Sequence, residues 1–346
     1  MRMKHRVRRF GLPGAAAILA VGAAWGPAPG AQEAPQSPSL LLAFSSYREH
    51  VGYPHVFLYR HDGVGQGRLA GGLPSAPDRS DFAPRLTPDG RLCVLNYEEV
   101  GKQSRFLLWE WPARRPAELG LPSGDVVDMH PALSAGGKRL AFASLRRSNP
   151  GGWNVYVWDR EAGRLLEPGE LNSDDDDRMP ALSGDGRRLA FASSRAGGAG
   201  LQDVYVYDLQ EQRFLPVPGL NSPSRETEPC LSADGEWLAF VSTRPDRPDA
   251  PAGTGNLNVY LYSLRERRLA PVPGLNGPGA EQSPALSPDG RFLAFVSERF
   301  GQTGARDLFL YDRSPASGPP RLLPTPGLNS VRDDMDPALA WDPPES

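Results

Sequence analysis

Six acidic side chains recur along the chain at a fixed distance from a proline. Each lies three residues before a proline that opens a repeated motif, and the set is Asp81, Asp128, Asp177, Glu226, Glu281 and Asp334. Carboxylates placed in this way could bind a cation, transfer protons or form ion pairs with basic side chains. We therefore take these six residues, named the acid ring below, as candidates for ligand binding.

In five repeats, an arginine follows the apolar stretch that comes after the proline, and we predict that it pairs with the acid of its own repeat. The predicted pairs are Asp334–Arg48, Asp128–Arg146, Asp177–Arg195, Glu226–Arg244 and Glu281–Arg299. Partly buried arginine–carboxylate pairs orient both side chains. These five arginines are therefore interpreted as structural partners of the acids.

The remaining repeat differs, because the alignment places Glu98 opposite Asp81 where the other repeats have an arginine. Two adjacent carboxylates need a cation, a shared proton or a basic neighbour. Lys102 and Arg105 are near in sequence and offer the third solution. Asp81 and Glu98 are the candidates for a metal site, and calcium is the divalent cation considered, since it prefers oxygen ligands.

The repeat that carries these residues predicts the fold. Its motif, as in "PALSGDGRRLAFASSR" from Pro180, begins at prolines 84, 131, 180, 229 and 284, and a truncated "PALAW" begins at Pro337. Each unit predicts a short strand, a tight turn with glycine, a buried apolar strand, an alternating strand such as "DVYVYDL" and a fourth strand. Four antiparallel strands in about fifty residues are typical of a β-propeller blade.

The two ends of the chain predict how the ring closes. "LLAFSSYR" from Leu41 matches the second strand of a blade, and no first strand precedes it. Pro337 to Trp341 supplies a first strand with no successors. We therefore predict an all-β, six-bladed propeller, closed by pairing the C-terminal strand with the N-terminal three. Cys93 and Cys230 then lie on opposite blades and are expected to remain free, since a disulfide needs Cα atoms within roughly 7 Å.

The motif P-x-L-S-x-D-G-x-x-L-A-F-x-S-x-R resembles the TolB-type propeller repeat, over about residues 39–343. The resemblance implies a six-bladed propeller in an exported protein, with the propeller face that binds Pal in the TolB family retained. That family carries an α/β domain before its propeller. Here only the linker "QEAPQSPS" separates the N-terminal apolar segment from the first strand.

The N-terminus predicts export. A basic region from Arg2 to Arg9, an apolar stretch from Phe10 to Trp25 and the small residues up to Ala31 are typical of a signal peptide. The predicted domains are a signal peptide (1–31), a linker (32–38) and the propeller (39–346). Cleavage would take the formal net charge from −3 to −8, which argues against a nucleic-acid partner. No stable membrane span is expected after cleavage, and the protein is predicted to be periplasmic or secreted and monomeric.

Histidine side chains are the remaining candidates for proton transfer, ligand orientation or metal binding. His130 precedes Pro131 and is expected near the channel mouth, where it could orient a ligand or transfer a proton. His50, His55 and His61 are expected to cluster around one loop and strand of the first blade, and metal binding by His50 and His55 is an open alternative to a solvated loop cluster. The chain has no G-x-S-x-G elbow, H-E-x-x-H motif, P-loop or dinucleotide fingerprint.

These observations favour a protein-interaction or ligand-binding module in the cell envelope. Its partner would be an envelope protein or a small polar ligand, bound on the face that carries the acid ring and the variable Gly/Pro-rich loops. No cofactor is expected beyond the calcium ion considered above, and no catalytic residue is assigned. The alternative is a propeller lyase or hydrolase that acts on a carbohydrate or other polar substrate, with a metal at the channel mouth.

Overall fold

The computed structural model describes residues 39–50, 52–111, 113–122, 126–146, 152–166, 170–245, 253, 255–299, 305–315 and 318–344. The predicted signal peptide (1–31) and linker (32–38) lie outside the described residues. The described chain forms six sheets of four antiparallel strands, as the repeat predicts. Among these residues, no helix has the length and apolarity needed to cross a membrane.

The first three blades contain strands 1 to 11 and the last strand of the chain. Blade 1 consists of β1 (Leu40–Ser46), β2 (His55–His61), β3 (Gly67–Gly72) and β24 (Asp334–Trp341). Blade 2 consists of β4 (Arg79–Leu86), β5 (Leu92–Glu99), β6 (Arg105–Glu110) and β7 (Arg115–Ala117). Blade 3 consists of β8 (Asp128–Leu133), a 3-10 turn (Ala135–Gly137), β9 (Arg139–Ser144), β10 (Asn154–Asp159) and β11 (Arg164–Leu166).

The other three blades follow in chain order. Blade 4 consists of β12 (Asp177–Leu182), β13 (Arg188–Ser193), β14 (Asp203–Asp208) and β15 (Arg213–Phe214). Blade 5 consists of β16 (Glu226–Leu231), β17 (Trp237–Ser242), β18 (Asn258–Ser263) and β19 (Arg268–Ala270). Blade 6 consists of β20 (Glu281–Leu286), β21 (Phe292–Ser297), β22 (Asp307–Asp312) and β23 (Arg321–Leu323).

The ring closes as the two chain ends predict. β24 pairs antiparallel with β1, from Leu40 opposite Trp341 to Ser46 opposite Asp334. Pairing removes the exposed strand edges that both termini would otherwise present. The last strand of the chain therefore completes the first blade.

The hydrophobic core lies between neighbouring blades. Each of six buried clusters joins side chains of two successive blades, and one of them joins blade 6 to blade 1. Phe191 of β13, for example, is fully buried in a cluster with Val157 of blade 3. A second strand contributes to the core from both faces: Leu189 and Phe191 of β13 pack in the cluster shared with blade 3, and Ala190 packs in the cluster shared with blade 5. Cys93 and Cys230 belong to different clusters and are free thiols.

The tight turns between first and second strands lie on one face of the propeller. In blade 4 the amide of Gly186 donates to the Ser183 carbonyl at 2.9 Å, and Gly186 has φ +68°. Glycine adopts this left-handed conformation without the cost that a Cβ would impose. The opposite face carries the longer connections between second and third strands and between successive blades, and it is named the loop-bearing face.

Candidate functional site

The acid ring forms ion pairs inside the blades. The five predicted pairs are present, with nitrogen–oxygen distances of 2.8 Å for Arg48–Asp334, 2.7 Å for Arg146–Asp128, 3.0 Å for Arg195–Asp177, 3.1 Å for Arg244–Glu226 and 3.1 Å for Arg299–Glu281. The six acids are buried. The acid ring therefore lies beneath the loops, within the blades, and does not form an open rim of free carboxylates.

In blade 4, the paired arginine and aspartate make several further hydrogen bonds within the protein. Arg195 donates to Asp177 at 3.0 Å, to the Leu171 carbonyl at 2.7 Å and to the Ser193 hydroxyl at 2.9 Å. Its guanidinium lies 4.6 Å from the ring centroid of Tyr205. Asp177 is fully buried and also accepts the Ser173 amide at 2.6 Å. Such a network stabilises the end of a blade and leaves little capacity for an external ligand.

The predicted pairing of Asp81 with Glu98 is wrong. Asp81 lies opposite Tyr97 in the β4–β5 register, whereas Glu98 lies opposite Ser80 and is exposed. Adjacent residues of a strand point to opposite faces, so the two carboxylates diverge. Asp81 instead pairs with Arg79 at 2.9 Å. The calcium site proposed for Asp81 and Glu98 therefore lacks its geometry.

The residue that replaces arginine in this blade is Glu99, one position later than the sequence alignment placed it. In the other blades the arginine follows two residues after the serine opposite the acid, and Tyr97 occupies that serine position here. Glu99 forms an ion pair with Lys102. The neutralising arginine thus comes from two residues before Asp81 on its own strand, which a comparison of repeats does not reveal.

Each first strand contains a bulge, and the six residues at these bulges form a second ring. The strand register shifts at the proline in all six blades. Proline has no amide to donate to the ladder, and bulges redirect side chains. The residue before each proline has a positive φ between +49° and +56°, and these residues are Ala83, His130, Met179, Glu228, Ser283 and Asp336.

This bulge ring lines a cavity of about 170 Å³ in the central channel. Arg85 also lines it, at a position where the other blades have alanine or cysteine. The charged and titratable residues of the cavity, named the channel cluster, are Arg85, His130, Glu228 and Asp336. The bulges lie two residues after the acid ring, so the cavity is on the side of the channel nearer the loop-bearing face.

The channel cluster is partly satisfied by the protein. Glu228 accepts the Ser283 amide at 2.6 Å, and Asp336 accepts the Ser45 hydroxyl at 3.0 Å. Arg85 donates to the Pro84 carbonyl at 2.8 Å. His130 Nδ1 is buried and has no hydrogen-bond partner among the described residues. The two carboxyl groups come from blades 5 and 1, and the two basic side chains come from blades 2 and 3, so acidic and basic groups lie on different sides of the cavity.

Burial sets the protonation states in this cavity. Desolvation, with Arg85 and Arg178 adding to it, lowers the pKa of His130 to about 4. Desolvation, with repulsion from Asp336, raises the pKa of Glu228 above its ordinary value. Both shifts favour the neutral form. A neutral imidazole offers one donor and one acceptor to a polar ligand.

The lowered pKa of His130 predicts a loss of stability in acid. The unfolded chain binds a proton at this side chain below about pH 6.5, whereas the folded chain does so only near pH 4. Stability from His130 is therefore lost as pH falls through this window. Between pH 7 and pH 4.5, the free energy of unfolding measured in urea should fall by about 1–2 kcal/mol less for His130→Gln than for the parent. Parallel pH profiles for the two proteins would contradict the assignment.

Sequence reasoning identified only part of this site. His130 was a candidate because it precedes a proline, and Glu228 and Asp336 hold the same position in their own repeats. The position before each proline is therefore the signal that could have found them. Arg85 could have been found as the one charged residue that follows a blade-opening proline.

Exposed apolar side chains lie on the loop-bearing face. Val100 is 68% exposed, Leu201 85% and Val331 80%, and Leu145 is 40% exposed. They come from the second-to-third strand connections of blades 2, 3 and 4 and from the connection into blade 1. These four residues are named the apolar rim. Val64, which is 60% exposed, lies in the β2–β3 turn of the opposite face.

The histidines of blade 1 separate into two places. Glu49, His50 and His55 bring one donor atom each within 4.8 Å of the others, so that they could hold a metal ion. His61 lies at the far end of β2, where its Nε2 is 2.9 Å from the Pro324 carbonyl oxygen. The three predicted histidines therefore do not form one cluster.

Comparison with known proteins places the fold. No protein-family model and no curated protein matches the chain. TolB from Acinetobacter baumannii matches with a TM-score of 0.63 at 17% identity, over 88% of this chain and 67% of that one. A putative TolB from Agrobacterium tumefaciens matches with a TM-score of 0.53 at 15% identity, over 89% of this chain and 99% of that one.

Hydrazine synthase from Kuenenia stuttgartiensis has a similar propeller, with a TM-score of 0.55 at 14% identity over 89% of this chain and 48% of that one. TolB and hydrazine synthase are differently named proteins that share this propeller architecture. The architecture alone therefore does not assign a function. The six blades of the closed ring, the repeated motif and the similarity to the two TolB structures all indicate the same fold. The chain is a TolB-like six-bladed β-propeller.

Proposed function

We propose that the protein is an exported binding module that recognises a protein partner of the cell envelope through its loop-bearing face. The apolar rim is the observation that carries this proposal. Each of blades 1 to 4 presents one exposed large apolar side chain in a connection of the loop-bearing face. Protein-binding surfaces combine exposed apolar side chains with polar neighbours.

The channel cluster gives this surface a polar centre. A partner that covers the apolar rim can insert a polar side chain or a chain end into the cavity of about 170 Å³. Arg85 and His130 suit an acceptor group, and the opposite carboxylates suit a donor. Binding energy would come from the desolvated rim, and orientation from the channel.

The ion pairs formed by the acid ring favour a binding function over the alternative of a metal-dependent lyase or hydrolase. That alternative needs unpaired carboxylates of the ring at the channel mouth. The six acids instead meet an arginine of the same blade. The export part of the proposal rests on the basic and apolar pattern of residues 1–31.

Capture from envelope extract tests the proposal. Immobilised Leu201→Asp/Val331→Asp protein should retain partner at least about tenfold more weakly than the parent, because two rim contacts would be replaced by charges. Val64→Asp is the matched control, since it adds a charge at an exposed apolar position on the opposite face. Quantitative mass spectrometry of the bound proteins gives the comparison. Equal recovery with the rim variant and the parent would overturn the proposal.

A further inference from the structure

We propose that Glu49, His50 and His55 form a binding site for a borderline transition-metal ion, Zn²⁺, on the loop-bearing face of blade 1. The site is separate from the channel cluster and independent of the proposed partner binding. Glu49 and His50 lie in the β1–β2 connection, and His55 begins β2. One donor atom from each lies within 4.8 Å of the others.

The donor types select the class of metal. Imidazole nitrogen and carboxylate oxygen together suit zinc, whereas calcium takes six to eight oxygen ligands. His55 Nδ1 lies 3.9 Å from a Glu49 carboxylate oxygen, and the two imidazole centroids are 4.9 Å apart. Zinc–ligand bonds of about 2.0–2.2 Å require donors somewhat closer than this. Glu49 is exposed and can rotate inward to close the gap.

His55 is a departure from the repeat. Four other blades have Asn or Asp at the position opposite the terminal serine of the second strand, namely Asn154, Asp203, Asn258 and Asp307. Asp203 accepts the amides of Ala199 and Gly200 and so fixes its own loop. Blade 1 has an imidazole instead, which suits a metal ligand better than a loop-fixing acceptor.

The burial of His55 fixes the direction of its ring. Its side chain is only 8% exposed, and the nitrogen that faces Glu49 is Nδ1. A cation bound between His55 and Glu49 would therefore coordinate Nδ1, whereas Nε2 is the ring's other nitrogen, buried and without a hydrogen-bond partner among the described residues. Three protein ligands leave at least one coordination position for water.

Titration calorimetry with zinc chloride on tag-free protein tests the site. The parent should bind one equivalent of zinc, and calcium chloride should give no comparable saturable heat. His55→Asn inserts the residue that Asn154 and Asn258 supply in other blades, so it should fold normally, and His50→Ala changes a loop residue only. Each variant should weaken zinc binding at least about tenfold, since even outer partners of metal ligands cost 10–100-fold.

Glu98→Gln is the matched control, because it removes an exposed carboxylate of the neighbouring blade and should leave zinc binding unchanged. The proposal would be overturned by a parent that shows no saturable zinc binding. It would also be overturned if His50→Ala and His55→Asn both bound zinc like the parent, or if calcium bound in preference to zinc.

Discussion

Replacing Arg195 by methionine is expected to lower the free energy of unfolding by about 3–5 kcal/mol, because Asp177 would remain buried without its counter-charge. The same change also removes donors to the Leu171 carbonyl and the Ser193 hydroxyl. Urea unfolding followed by fluorescence measures the effect. The exposed Arg213 of the same blade provides the control, and Arg213→Met should stay within about 0.5 kcal/mol of the parent.

A double replacement separates the ion pair from general damage to the blade. Arg195→Met/Asp177→Leu removes both charges and leaves no unpaired carboxylate in the interior. Because replacing a whole buried pair costs less than breaking it, the double variant should be more stable than Arg195→Met alone. A single variant within about 1 kcal/mol of the parent would show that the pair contributes as little as an exposed one.

Deleting residues 334–346 is expected to abolish cooperative folding. The deletion removes β24, so that β1 loses the strand paired along Leu40 to Ser46. It also removes Leu339, which lies in the cluster that joins blade 6 to blade 1. The lost ladder and core contacts should exceed the net stability of about 5–15 kcal/mol that is typical of a folded domain.

Near-ultraviolet circular dichroism and size-exclusion chromatography measure this effect. A chain that ends at Asp342 keeps all of β24 and should elute and unfold like the parent. The deletion variant should lose its aromatic signal or aggregate through the exposed edge of β1. A monomeric, cooperatively unfolding deletion variant would contradict the role of β24 in ring closure.

The repeat made most of the fold predictable. The repeated motif, with blade-opening prolines 47 to 55 residues apart, predicted the number of strands and blades, and the unmatched ends predicted that β24 would complete blade 1. The five ion pairs were predictable for the same reason. Residues at equal positions of repeated strands occupy equivalent places, so one physical solution is used five times.

The channel was less predictable, because a bulge changes which face a residue occupies. Strict alternation along a first strand does not reveal that the residue before the proline has a positive φ and lines the cavity. The sequence predicted that His130 lies near the channel, but it did not predict this for Glu228, Asp336 and Arg85, which line the same cavity. The contact of Asp81 with Arg79 was also hidden, since it occurs in one blade and has no counterpart in the repeat.

Site-specific photo-crosslinking tests the central claim, partner binding at the loop-bearing face, most directly. A photoreactive phenylalanine analogue at Leu201 would report on the apolar rim, and the same analogue at Val64 would report on the opposite face. Both positions are exposed, so the analogue is tolerated equally. We expect a discrete crosslinked partner in the cell envelope from position 201 and none from position 64. A discrete partner from position 64 alone would contradict the account.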